Sequence, residues 1–104
     1  MPTEVRIKRI QDRIRQDLSE MIVMQTIHDP RINGATITEV KVDRELSYAD
    51  IFVSAVEGHS REQEIMEGLQ SASGFIRRTL SKQIQLRVFP RIRFHWDPTP
   101  GENS

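Results

Sequence analysis

One long amphipathic pattern contains a cluster of small residues at its centre, and this cluster limits how the chain can fold. Apolar residues recur at helical spacing from about residue 60 to residue 84: Ile65, Leu69, Ala72, Ile76 and Leu80. The cluster Ser71-Ala72-Ser73-Gly74 lies inside this pattern without changing its phase. A glycine within a helix costs about 1 kcal/mol relative to alanine, so Gly74 indicates a close packing contact or a bend in the backbone. Small residues also allow another chain, or a nucleic-acid backbone, to approach closely.

A first long helix is predicted near the start of the chain. Thr3 is a suitable N-cap, and apolar residues then repeat at spacings of three and four to about Met24: Ile7, Ile10, Ile14, Leu18, Met21 and Ile22. Arg6, Arg9 and Arg13 share a face away from this stripe, where they are either solvated charges or phosphate contacts. Arg13 and Asp17 also have the spacing of a surface ion pair. The sequence Asp29-Pro30-Arg31 ends this region.

Two strands are predicted next, joined by the five residues 43–47. The first runs from Ala35 to Val42 and places Thr36, Thr38, Val40 and Val42 on one face. The second runs from about Tyr48 to Val56 and places Ala49, Ile51, Val53 and Ala55 on one face. A link this short predicts antiparallel pairing. Ser60 then serves as the predicted cap of the following helix.

The last predicted strand, from about Leu86 to Trp96, has the clearest alternation in the chain. One face carries Val88, Pro90, Ile92, Phe94 and Trp96, and the other carries Arg87, Phe89, Arg91, Arg93 and His95. Pro90 cannot donate a ladder hydrogen bond, so this strand lies at an edge or bulges there. Arginines beside a phenyl ring are typical of a nucleic-acid contact, although arginines also protect an edge strand from aggregation.

The charge of the chain is balanced in total but uneven along its length. There are 15 basic and 15 acidic residues among 104, with a slight basic excess up to residue 32, an acidic excess over residues 33–70 and a basic excess from residue 71 onward. Such a distribution can produce a basic face on a neutral molecule. Arg77, Arg78 and Lys82 follow Gly74, where they suit either the helix dipole or a phosphate.

Several classes of function are disfavoured by what the sequence lacks. Without cysteine there is no disulfide or thiol chemistry, and the longest apolar run, Met21 to Met24, is far too short to span a membrane. The three histidines fall in three different elements without metal-ligand spacing. No phosphate-binding loop or nucleophile motif is present. We therefore expect a cytoplasmic binding protein that is not an enzyme and needs no metal or cofactor.

The order of elements predicts a two-layer α+β domain with helices on one face of a three-stranded sheet. This α-β-β-α-α-β order is found in type II KH domains, which grip nucleic acid with a Gly-x-x-Gly loop. Here the corresponding place reads Ser71-Ala72-Ser73-Gly74, and the chain resembles the ribosome-binding factor A family, in which an Ala-x-Gly kink replaces that loop. Further matching segments are Arg6-x-x-Arg9-Ile10, Asp29-Pro30-Arg31, Thr36 to Val42, Ala49 to Ser54, Gly74 to Leu80, and Leu86 to Asp97.

The resemblance implies a function. Members of the family bind the free small (30S) ribosomal subunit and its 16S rRNA, support late maturation and 5′-end processing of that rRNA, act in cold adaptation, and in some bacteria leave with help from an assembly GTPase. It implies a monomer whose residues 1–97 form a KH-like ribosome-binding domain, and we expect a disordered tail over 98–104. The RNA-binding residues expected on this basis are Arg6, Arg9, Arg13, Ala72, Ser73, Gly74, Arg77, Arg78, Lys82, Arg87, Arg91 and Arg93.

Two alternatives remain open from the sequence. One is a general single-strand RNA-binding KH module, which the absence of the Gly-x-x-Gly loop disfavours. The other is a protein-interaction domain whose acidic middle segment docks a basic partner. Strong salt dependence of rRNA binding is expected only of an RNA-binding protein.

Overall fold

The computed structural model describes residues 3–98, and these form three helices and three strands. The elements are α1 (Glu4–Val23), β1 (Ala35–Val42), β2 (Tyr48–Ala55), α2 (Glu62–Ser71), α3 (Ser73–Gln83) and β3 (Arg91–Trp96), with 3-10 turns at Pro30–Ile32 and Gly58–Arg61. The predicted α-β-β-α-α-β order is confirmed. Of the predicted tail, residues 99–104 lie outside the described residues, as do residues 1 and 2.

The three strands form one mixed sheet in the order β1-β2-β3. β1 and β2 pair antiparallel, as predicted, with Val42 opposite Ala49. β3 pairs parallel with β2, with Arg91 opposite Tyr48, and it occupies the edge that Pro90 indicated.

The three helices pack on one face of this sheet and form the core with it. The residues with no exposed surface come from both layers: Ile14, Leu18, Ala49, Ile51, Val53, Ile65, Leu69, Ile76 and Leu80. Each buried aliphatic side chain of this size contributes about 1.5–3 kcal/mol of transfer free energy. The apolar stripes predicted on the helices and on β2 are therefore the core, and the charged residues lie around it.

The inward face of β1 differs from the prediction. The pairing of β1 with β2 shifts between Ile37 and Glu39, which marks a β-bulge at Thr38. The bulge reverses the alternation, so that Ile37 is buried together with Val40 and Val42. Thr36 is exposed, and the Thr38 hydroxyl donates to Asp97 Oδ2 at 2.8 Å.

The last strand is shorter than predicted, because it begins at Arg91 rather than at Leu86. Phe89 is buried at 5% exposure and Val88 is 70% exposed, the reverse of the predicted faces. The Arg77 guanidinium donates to the carbonyls of Phe89 (2.6 Å) and Pro90 (3.2 Å) and holds this segment against α3. Phe89 is therefore a core residue and does not accompany the arginines of β3.

The central helical pattern is broken at one residue. Ala72 has φ −91° and ψ 2°, and it separates α2 from α3, whereas Gly74 lies within the first turn of α3. The break leaves the apolar stripe in phase, since Leu69 before it and Ile76 after it are both fully buried. The cap predicted at Ser60 is wrong: a 3-10 turn occupies Gly58–Arg61, and Arg61 is the residue before α2.

Candidate nucleic-acid interface

The predicted site residues of α1 line a groove on the helical side of the molecule. Arg6, Arg9 and Arg13 project from one flank of α1, and the opposite wall is residues 84–86, which follow α3. The groove has a volume of about 500 Å³. Its lining also includes the buried Ile10, together with Asp12, whose carboxylate lies 3.5 Å from Lys8 Nζ. Three arginines and one paired carboxylate therefore border an apolar residue.

The three arginines of this groove differ in their partners. Arg13 Nε lies 3.0 Å from Asp17 Oδ2, which confirms the predicted ion pair, and Arg13 Nη2 donates to the Gln83 carbonyl at 3.0 Å. Arg13 thereby ties α1 to the end of α3. Arg6 and Arg9 are exposed and form no ion pair within residues 3–98. Arg6 and Arg9 are therefore the groove cations available to a bound anion.

The kink, residues Ser71–Gly74, contains a second group of predicted site residues, Ala72, Ser73 and Gly74. Ser71 and Gly74 are exposed, and Ala72 and Ser73 are half-buried. The Ser73 hydroxyl donates to the Gln70 carbonyl at 2.9 Å, which satisfies one acceptor at the end of α2. A single linking residue leaves no room for a Gly-x-x-Gly loop between the helices.

Arg78 lies against the kink because Gly74 has no side chain. Its Nη1 atom is 3.3 Å from the position that a Cβ of residue 74 would occupy. Arg78 is exposed and forms no ion pair in the described part of the chain. Its neighbour Arg77 is half-buried, with its guanidinium engaged by the carbonyls of Phe89 and Pro90. Of this pair, Arg78 presents the free charge.

The remaining predicted residues follow the kink along the chain. Lys82 on α3, Arg87 in the linker and Arg91 at the start of β3 are all exposed and have no ion-pair partner among residues 3–98. Arg87 comes directly after Leu86, which lines the α1 groove. The structure therefore groups Arg6, Arg9 and Arg13 in one groove and Ala72, Ser73, Gly74 and Arg78 at the kink, with Arg91 and Arg93 on the edge strand.

Arg93 is engaged with its own sheet. It makes two hydrogen bonds to the Asp50 carboxylate, at 2.8 and 3.1 Å, and its guanidinium carbon lies 3.9 Å from the centre of the Tyr48 ring. His95 Nε2 lies 2.7 Å from Asp50 Oδ1, and the His95 ring stacks on Phe52 with centroids 5.0 Å apart. The Arg93 guanidinium, followed by the His95 ring, holds the pKa of Asp50 below its usual range despite partial desolvation.

The outer sheet face is therefore largely compensated. Its aromatic rings are covered by neighbours, since Lys41 Nζ lies 5.6 Å from the centre of the Phe52 ring on which His95 also stacks. A ring that is already stacked is less available to a nucleobase. Free positive charge is concentrated instead on α1, α3 and the linker between α3 and β3.

Sequence reasoning missed two features of the helical side. Phe75, in the first turn of α3, is 40% exposed beside the kink. Its position next to Ile76, just outside the apolar stripe, could have predicted this exposure. Gly68 is buried against Arg31, whose Cβ would lie 3.1 Å from a Cβ at residue 68. The sequence marked Gly74 through the small residues beside it, whereas Gly68 has no such neighbours.

Two kinds of feature are absent from the part of the chain that the structure describes. Within residues 3–98, no three histidine, cysteine or acidic side chains come together in a group that could hold a metal ion. No helix in the same range is both long enough and apolar enough to cross a bilayer.

Comparison with known proteins gives one consistent family. The sequence model described as ribosome-binding factor A matches residues 6–104. The ribosome-binding factor A of Thiobacillus denitrificans is 40% identical over 92 residues, covering 88% of this chain and 73% of the relative.

Solved structures agree on the fold. The crystal structure of ribosome-binding factor A from Thermus thermophilus has a TM-score of 0.73 at 21% identity, covering 86% of this chain and 93% of that one. A Thermus thermophilus homology model fitted into the cryo-EM map of a 30S–RbfA complex has a TM-score of 0.69 at 23% identity, covering 86% and 94%. At these identities the two structures show a shared fold.

Proposed function

Because the chain belongs to the ribosome-binding factor A family, we propose that it is a non-catalytic assembly factor that binds the free 30S ribosomal subunit through 16S rRNA. It acts as a cytoplasmic monomer in late maturation and 5′-end processing of that rRNA, including at low temperature. An assembly GTPase takes part in its release. A related protein has been fitted as a complex with the 30S subunit, which supports this choice of partner.

The observation that carries the proposal is the groove of α1. Arg6 and Arg9 are one turn apart on the same flank, exposed and without ion-pair partners among the described residues. Guanidinium groups presented in this way suit the phosphates of a nucleic-acid backbone. Residues 84–86 line the other side of the groove, and the exposed Arg87 follows them directly in the chain.

Support for rRNA processing follows from binding alone. A protein without catalytic groups promotes a cleavage made by another enzyme when it binds one conformation of the substrate more tightly than the others. Tenfold selectivity between two rRNA conformations requires about 1.4 kcal/mol of differential binding. Two or three phosphate contacts made in only one conformation are sufficient for this.

The structure favours this function over docking of a basic protein partner. Much of the acidic charge of residues 33–70 is already paired within the chain. Glu57 and Glu64 contact Arg61, at 3.5 and 2.9 Å, and Asp50 contacts Arg93 and His95. Carboxylates held in such contacts are less available to a basic partner.

The test is co-sedimentation of the purified protein with free small subunits, large subunits and whole ribosomes at low and moderate salt. We expect selective binding to free small subunits that weakens steeply as salt increases. Equal binding to all three particles reduces the activity to nonspecific RNA affinity. Absence of binding to any particle rejects the proposal.

A matched pair of variants locates the contact. Arg6→Gln with Arg9→Gln removes two groove charges, whereas Arg15→Gln with Lys41→Gln removes the same charge from positions outside the groove. We expect the first pair to lower the slope of log affinity against log salt by about 1.4–1.8 units, and the second to change it much less. Equal slopes for the two pairs would place the contact outside the groove.

A further inference from the structure

A second groove lies beside the kink, where the segment after α1 meets the first turn of α3. Residues 26–29 form one wall, and Ser71, Ala72 and Phe75 form the other, around a volume of about 270 Å³. Phe75 is a large apolar side chain that the fold leaves 40% exposed here. An exposed ring in a concave site is a candidate contact for a planar ligand.

The carboxylate in the wall of this groove is bound by an arginine, and a second arginine, outside the lining, lies at the kink that borders the groove. Asp29 contributes a carboxylate to the wall of the groove. Arg31 donates to that carboxylate from Nε at 3.0 Å and from Nη2 at 2.7 Å. These hydrogen bonds hold the pKa of Asp29 below its usual range. That negative charge is therefore compensated. Arg78, three positions after Phe75, has no ion-pair partner in the described range and lies against Gly74.

We propose that this groove binds one unpaired nucleotide of the rRNA, with its base stacked on Phe75 and its phosphate bound by Arg78. The inference rests on the proposed function, because it assigns a further contact to the same RNA ligand. Aromatic rings beside free guanidinium groups are the means by which proteins hold single-stranded RNA. An apolar side chain from a protein partner would use Phe75 and leave the Arg78 charge without a counterpart.

The glycine of the kink has a specific role in this arrangement. A Cβ at residue 74 would lie 3.3 Å from Arg78 Nη1, so the guanidinium would have to shift by a few tenths of an ångström. Gly74→Ala displaces the guanidinium without removing it. It should therefore weaken RNA binding less than Arg78→Gln does.

Two substitutions of Phe75 separate stacking from simple apolar contact. Phe75→Leu keeps an apolar side chain without a ring, whereas Phe75→Trp keeps an aromatic ring. The control is Val56→Ala, because Val56 is 90% exposed and lies outside the groove. We expect Phe75→Leu to weaken binding to free small subunits by about tenfold or more, while Phe75→Trp and Val56→Ala bind like the wild type. Circular dichroism confirms that each variant is folded. Wild-type affinity in Phe75→Leu overturns the inference.

Crosslinking identifies the occupant directly. With p-benzoylphenylalanine in place of Phe75, irradiation of the complex with free small subunits should attach the protein to 16S rRNA. Attachment to a ribosomal protein overturns the inference in favour of a peptide contact. If the wild-type protein does not bind small subunits, the proposed function fails together with this inference. If it binds and Phe75→Leu binds equally, only the nucleotide site fails.

Discussion

Two neighbouring arginines on α3 illustrate how much a residue's role depends on its surroundings. Arg77 donates to two backbone carbonyls, of Phe89 and Pro90, and so positions the segment that leads into β3. Arg78 is exposed beside the kink and has no ion-pair partner within the described residues. In the sequence they are the same residue type, and both lie off the apolar stripe, so only the fold separates their roles.

This difference predicts opposite effects for matched substitutions. Arg77→Met leaves two carbonyls without their charged donor and should lower the free energy of unfolding by about 1–3 kcal/mol. Arg78→Met should change it by less than about 0.5 kcal/mol while weakening affinity for small subunits. Urea unfolding and co-sedimentation measure the two effects. Equal loss of stability in both variants would contradict the assignment.

The end of α1 contains a residue in an unfavourable backbone conformation. Gln25 has φ 56°, its N–H donates to the Ile22 carbonyl, and the N–H of Thr26 donates to the Met21 carbonyl, which together form a Schellman motif. Glycine is preferred at this position because it lacks a Cβ. Gln25→Gly should therefore raise the free energy of unfolding by about 0.5–1 kcal/mol, measured by thermal unfolding. Gln25→Ala, which keeps the Cβ, should give no such gain.

At the scale of elements, periodicity predicted the helices well and the strands less well. The stripes of α1, α2 and α3 are buried as expected, because helical burial depends mainly on local spacing. The predicted face of β1 was wrong, because a bulge at Thr38 changes which of its residues point towards the core. The start of β3 was wrong because Arg77, far away in sequence, holds Phe89 and Pro90 in the core.

The candidate site was predictable only in part. Spacing alone placed Arg6, Arg9 and Arg13 on one flank of α1, and the structure shows them lining one groove. The sequence did not reveal that Asp50 pairs with Arg93, because the two residues meet across β2 and β3. Nor did it show that Phe75 lies beside the segment after α1, since that contact also depends on the fold.

The docking of α2 makes two glycines unequal. α2 packs against the loop at Asp29–Arg31, and a Cβ added at Gly68 would lie 3.1 Å from Arg31 Cβ. Arg61 reinforces the contact between α2 and this loop, because its guanidinium donates to the Arg31 carbonyl at 3.0 Å. At Gly74 the nearest atom is the tip of the flexible Arg78 side chain. An alanine at residue 68 therefore requires the loop at Asp29–Arg31 to move. An alanine at residue 74 requires only that the flexible Arg78 side chain change its conformation.

We accordingly expect alanine to be tolerated at one glycine and resisted at the other. Gly74→Ala should leave the fold intact and raise the free energy of unfolding by up to about 1 kcal/mol through helix propensity. In Gly68→Ala, the steric cost of the contact with Arg31 should cancel the gain in helix propensity, so this variant should be the less stable of the two. Thermal unfolding ranks the variants, and the reverse order would show that the loop yields easily.

For the molecule as a whole, the placement of charges in the fold explains how a neutral chain can carry a basic surface. Three acidic groups are held within the described structure by defined partners. Asp29 accepts from Arg31, Asp43 accepts from the Tyr48 N–H at 2.7 Å, and Asp50 accepts from Arg93. Each ion pair removes a cation together with its anion, so the basic character depends on where the remaining cations lie. Those without an ion-pair partner among the described residues include Arg6 and Arg9 on α1 and Arg78 and Lys82 on α3.

These three carboxylates predict how stability depends on pH. Hydrogen bonds from Arg31, from the Tyr48 N–H and from Arg93 hold the pKa values of Asp29, Asp43 and Asp50 respectively below the usual range. As pH falls, these carboxylates are protonated in the unfolded state before they are protonated in the folded state. Their contribution to the free energy of unfolding is therefore complete at neutral pH and is lost as pH falls below about 4. Chemical unfolding between about pH 7 and pH 2.5 measures this loss, and Asp50→Asn should make it shallower. Constant stability across that range would contradict the prediction.

The parallel pairing of β3 with β2 also determines the order in which the domain can fold. β1 and β2 are joined by a short loop and can pair as a local hairpin, whereas Asp50 and Arg93 are 43 positions apart and meet only after both later helices have been traversed. Closing so long a loop carries the larger entropy cost, and distant parallel contacts form slowly. We therefore expect the edge strand to join the sheet last, and the linker with Arg87 to reach its place only at that step.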